Sequence, residues 1–168
     1  FRTGPLTMAP SQLGGFARSS PALTLTYLST PEQRPVAAES RRPARPVAVY
    51  TLHTMDAGGG DLTPISPFEM FEWEPSVAND GSILYARWDY IDRHNGPFMS
   101  LWATHPDGTN TRLVFGNYTR SPHCVFEPRS IPGSSKIVFT ASGHHSQTMG
   151  SLVLLDPTVD TEGDPPMT

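Results

Sequence analysis

The chain has 168 residues, 37% hydrophobic and 17% charged, with 18 prolines and 14 glycines, a length that allows one domain, or one with a tail, and excludes a large multidomain enzyme within these residues. Its net charge of −4 combines a basic head with an acidic body: residues 1–46 hold six arginines against Glu32 and Glu39, and residues 47–168 hold six basic and fourteen acidic side chains. The body lacks the clustered cations that neutralise phosphates, so no nucleic-acid partner is expected; no apolar run approaches the ~18 residues of a membrane span, and a single cysteine, Cys124, excludes an internal disulfide and any C-x-x-C metal or haem motif.

Residues 1–46 read as an irregular Pro/Arg-rich segment or linker. Pro5, Pro10, Pro21, Pro31, Pro35, Pro43 and Pro46 interrupt every stretch, and only Ala22–Leu28 alternates well enough for a short strand. Phe1 reads as the start of a fragment, and no signal peptide lies in the residues given. From Val47 the pattern changes to short β-branched and aromatic runs separated by turn dipeptides, as expected of successive hairpins.

Those runs repeat. Trp73-Glu74-Pro75-Ser76, Asp80-Gly81-Ser82 and Ile83-Leu84-Tyr85-Ala86 are answered 53 to 54 residues later by Phe126-Glu127-Pro128-Arg129, Pro132-Gly133-Ser134 and Ile137-Val138-Phe139-Thr140. Between them Leu101–Thr104 leads to Pro106-Asp107-Gly108, with echoes in Tyr50–Gly60 and Ser151–Pro157 at an offset near 50. A period of about 50 residues holding four short strands is that of a propeller blade. The expected fold is therefore all-β: a partial β-propeller of about two and a half four-stranded blades over residues 47–168, with almost no helix. Pro75 and Pro128 are expected at strand starts, where a missing N–H is tolerated. Since a closed ring needs at least four blades, the remaining ones are expected elsewhere in a longer protein.

The unit P-S-x-x-x-D-G-x-I-x-(Y/F), seen in Pro75–Tyr85 and followed by Leu101–Thr109, resembles a blade of the TolB-type β-propeller. More specifically, FEMFEWEPSVANDGSILYARWDYIDRHNGPFMSLWATHPDGTN and PHCVFEPRSIPGSSKIVFTASGHHSQTMGSLVLLDP resemble the middle domain of hydrazine synthase alpha subunits and their planctomycete relatives over about 120 residues, from residue 47 to the end. The resemblance implies an extracytoplasmic protein, periplasmic or secreted, whose propeller organises a multihaem assembly. This chain lacks C-x-x-C-H, so it is expected to carry no cofactor itself, and any haem c would sit in a neighbouring segment or chain.

Two groups of residues carry the chemical candidates. Asp89, Asp92, Arg93 and His94 lie in the Trp88–Gly96 loop, either converging on the mouth of the ring or held in an intra-loop Asp–Arg pair that shapes the loop. His123, Cys124, His144 and His145 supply imidazole and thiolate, good transition-metal ligands. Adjacent residues on a strand point to opposite faces, which sets His123 against Cys124 and His144 against His145 unless the loop bends. Ordinary polar loop or core positions are the competing reading. Glu72 and Glu74 share the spacing of one strand face without a facing carboxylate, Gly58–Gly60 reads as a hairpin turn, and Trp73, Trp88 and Trp102 read as core or rim between blades. No hydrolase, zinc-protease, P-loop or dinucleotide motif is present. The expected function is a non-catalytic propeller module that binds a protein partner or positions domains. The alternative is the propeller portion of a multihaem redox enzyme.

Overall fold

The computed structural model describes residues 6–7, 24–30, 49–56, 60–68, 71–89, 98–144 and 149–168. Those residues are all-β, with no helix among them, and none of them forms a helix long and apolar enough to cross a membrane. One sheet has the order β1-β2-β3-β4: β1 (Leu6–Thr7), β2 (Thr24–Thr30), β3 (Val49–Met55) and β4 (Thr63–Pro64). The second has the order β11-β10-β9-β7-β6-β5, with β8 on the side of β7: β5 (Phe71–Val77), β6 (Ile83–Trp88), β7 (Met99–Thr104), β8 (Arg112–Phe115), β9 (Cys124–Ser130), β10 (Ile137–Ser142) and β11 (Gly150–Leu155). Two strands thus fall before residue 47. β2 covers much of the alternating Ala22–Leu28 stretch and pairs along its whole length with β3.

The large sheet contains two successive antiparallel meanders, β5-β6-β7-β8 and β9-β10-β11, and the second gains a fourth member where Leu154 and Thr168 exchange two backbone hydrogen bonds of 2.8 Å each. Their hairpins close on the turn residues the sequence supplies. Gly81 and Gly108 sit at φ +84° and +81°, a conformation open to glycine at no steric cost. Asp80, Asp107 and Asp156 each accept from the backbone N–H and the hydroxyl of the Ser or Thr two residues on, at 2.6 to 3.1 Å, which holds their carboxyls below the ordinary range although burial pulls the other way, most for Asp80.

Pro75 and Pro128 lie inside β5 and β9 rather than at their starts. In both strands the pairing register shifts at this point, and the preceding glutamates, Glu74 and Glu127, take left-handed backbone conformations with φ +55° and +50°. A bulge leaves one residue out of the ladder, so a proline without an N–H breaks no pairing there. The E-P dipeptide of the repeat is thus a bulge signal.

The contact between successive units also repeats. Leu52 and Ile65 pack on Ile83 and Tyr85; Leu101 and Phe115 occupy the same places in the next unit and pack on Ile137 and Phe139, with Leu84, Ala103, Val125 and Leu155 completing that cluster. The backbone partners agree, for Ile65 N–H donates to Leu52 O as Phe115 pairs with Leu101. Each fully buried aliphatic or aromatic side chain in these clusters contributes about 1.5–3 kcal/mol. Polar ties follow the same repeat: Glu74 accepts from Glu127 N–H at 2.6 Å, Ser76 Oγ donates to Pro128 O at 2.5 Å, and Asn79 Nδ2 donates to Ile131 O and Ser134 O.

The β7–β8 turn is pressed against the first unit. A Cβ on Gly108 would stand 2.3 Å from Ile65 O, so Gly108→Ala combines a left-handed backbone with a main-chain clash. The variant is expected to lose about 2 kcal/mol or more, read by urea denaturation; an unchanged midpoint would mean that the turn does not abut Ile65.

Candidate functional site

The register lines up Phe71, Trp88, Met99, Cys124, Ser142 and Gly150 in one row across the end of the large sheet. Of the predicted candidate residues, Asp89, His123, Cys124 and His144 lie at or just beyond this row. Asp92, Arg93, His94 and His145 lie outside the described residues. Asp89 pairs with Arg87, Nε to Oδ1 at 2.7 Å, an ion pair whose alignment falls short of a hydrogen bond.

His123 and His144 come together: His144 N–H approaches His123 Nδ1 at 3.5 Å, and the His144 ring meets Trp88 edge-on at 5.6 Å. His123 O meanwhile accepts from Met99 N–H at 2.9 Å. Cys124 is fully buried with Met99 and Phe126 under Trp73 and Trp88, and burial pushes its thiol pKa up to about 11, which makes it a poor nucleophile and a reluctant ligand. Among the described residues no group of three or more His, Cys, Asp or Glu side chains is arranged to hold a metal ion. Trp73 and Trp88 form a rim with Tyr50 and Phe71, ring centroids 5.4 to 6.2 Å apart.

A second site, missed by motif reasoning, lies between the first two units. Glu72 is fully buried in β5. Its Oε2 accepts from Leu52 N–H at 3.1 Å, and the Ser66 hydroxyl also donates to the carboxylate. Burial outweighs these bonds and the nearby Arg87 charge and pushes its pKa up to about 7. Arg87, also buried, sets its guanidinium over two aromatic rings, 3.5 Å from the Phe68 centroid and 4.3 Å from that of Trp102, as in cation–π contacts. Tyr85 in the same layer has its hydroxyl pKa raised by burial first and by the Glu72 charge second. Four buried polar atoms of Glu72, Arg87 and Trp102 have no hydrogen-bond partner among the described residues: Glu72 Oε1, Arg87 Nε and Nη1, and Trp102 Nε1.

The repeat shows what this cluster replaces. Glu72 pairs with Arg87 as Val125 pairs with Ala141, and Tyr85 pairs with Trp102 as Phe139 pairs with Val153. At the next contact the architecture is thus served by Val125, Ala141 and Val153, so Glu72, Arg87 and Trp102 exceed what the packing of units requires. The signal was in the sequence: aligning the two repeats puts a glutamate, an arginine and a tryptophan opposite valine, alanine and valine.

No protein-family model, curated protein or solved structure matches the chain.

Proposed function

We propose that the chain is a run of TolB-type β-propeller blades acting as a non-catalytic module, which binds a protein partner or positions domains within a larger extracytoplasmic protein. The observation that supports it best is the recurrence of one contact between units, Leu52 and Ile65 on Ile83 and Tyr85, then Leu101 and Phe115 on Ile137 and Phe139. An array held by such nearest-neighbour contacts offers a rigid, extended surface. Within it the Glu72–Arg87–Trp102 cluster is a polar seam that sets the first unit on the second in one register, a specificity that an apolar seam would supply less well.

A second reading, the propeller portion of a multihaem redox enzyme, is favoured by the approach of His123 to His144 at the end of the sheet. Metal content and absorption decide between them. The purified chain is expected to hold no stoichiometric transition metal and to show no haem absorbance, and His144→Ala is expected to change neither. About one metal per chain, lost in His144→Ala, would overturn the scaffold reading.

A further inference from the structure

The three units differ in what covers their forward face. In the second unit Leu84, Ala86, Leu101 and Ala103 lie on one face of β6 and β7, all buried beneath the third. The register places Val138, Thr140, Leu152 and Leu154 at the matching positions of β10 and β11. There Val138, Thr140 and Leu154 are half-buried and Leu152 is 78% exposed, against 1% for Leu52 and 0% for Leu101 at the same place in the earlier units. The polar tie is open in parallel. Glu74 is capped by the N–H of Glu127, whereas Glu127 has the same bulge and left-handed backbone, and its carboxylate is exposed with a long 3.4 Å contact from Thr140 Oγ1.

We propose that this face is the seat of a fourth four-stranded unit of the same repeat, carried on the same polypeptide after Thr168. Its second strand lays an aliphatic-x-aromatic pair over Leu152, as Ile83 and Tyr85 cover Leu52 and as Ile137 and Phe139 cover Leu101. Its first strand donates a main-chain N–H to the Glu127 carboxylate. The apolar, solvent-facing Leu152 and the waiting acceptor are the two halves of a contact that the chain makes in full one unit earlier. This rests on the repeat reading above and names the partner that reading requires.

The reading frame and thiol labelling together test it. The frame is expected to continue past codon 168 with a repeat containing an E-P strand, a Gly turn and an aliphatic-x-aromatic strand; a frame that stops there, or continues without one, overturns the proposal. In the whole polypeptide, Leu152→Cys is expected to react with a maleimide about 100-fold more slowly than Val159→Cys in the exposed turn after β11. Equal rates overturn it, and protection that vanishes on dilution overturns it in favour of a second copy. Leu101→Cys separates the two ideas: slow labelling there with fast labelling at 152 leaves the repeat intact and removes only the fourth unit, whereas fast labelling at 101 removes the repeat reading itself.

Discussion

Raising the pH from 4.5 to 8 is expected to cost the folded chain about 3 kcal/mol, the opposite of the usual behaviour of a carboxylate that gains stability on ionising. Glu72 is the cause. Its carboxyl has an ordinary value of 4.5 and titrates at about 7 in the fold, because burial disfavours the charge. Between those values the folded protein retains a proton that the unfolded chain has released. The contribution is fully present below 4.5, falls through the window and is gone above 7, and 1.36 kcal/mol per pH unit gives its size. Glu74, raised by burial, acts in the same sense. Asp80, Asp107 and Asp156, held low by their turn hydrogen bonds, act the other way, losing stability only as the pH falls below about 4. Glu72→Gln keeps an acceptor for Leu52 N–H and removes the titration. Its stability should fall much less than the parent's from pH 5 to 8, with only the Glu74 contribution left, and should exceed the parent's at pH 8, measured by urea denaturation across the range. A parent profile that is already flat would contradict the burial of this side chain.

In the 168-residue chain alone, where no fourth unit covers Leu152, Leu52→Ala and Leu101→Ala are expected to destabilise the fold by about 2–5 kcal/mol each, and Leu152→Ala by no more than about 0.5 kcal/mol. All three leucines hold the same place in the repeat, so intrinsic strand preference and the chemistry of the substitution are matched. What differs is the cover: Leu52 and Leu101 are enclosed and would leave a cavity, whereas Leu152 already faces water. Chemical denaturation of the three variants reads the difference directly. Three equal losses would mean that the third face is packed in solution, and three negligible ones that the units do not pack on one another.

The period was legible because its markers are local. Asp80-Gly81 and Asp107-Gly108 mark turns by backbone chemistry alone, and Ile83–Ala86 reads as a strand covered on both sides, as it is. Ile137–Thr140 reads identically, yet its residues alternate between buried and half-buried, because the cover on one side depends on a neighbour that no local pattern encodes. Pro75 and Pro128 read as strand starts because a missing N–H is tolerated there; a bulge meets the same requirement mid-strand, and only the paired left-handed glutamates tell the two apart. The site was harder to read. Asp89 was legible as one half of an ion pair, and among the described residues its partner is Arg87 on the strand. His123 and His144 meet through a backbone N–H rather than ring to ring, which no spacing rule anticipates across 21 residues.

The bulge in β5 has a consequence for solubility. β5 is the last strand of its sheet, and a straight edge there would offer unsatisfied N–H and C=O groups to any passing strand. Pro75 removes one donor, the kink at Glu74 bends the ribbon out of plane, and the Glu74 carboxylate places charge beside it. Edges with these three properties make poor templates for cross-β growth. The dipeptide that marks the repeat thereby doubles as a gatekeeper against fibril formation while each unit waits for its neighbour to fold.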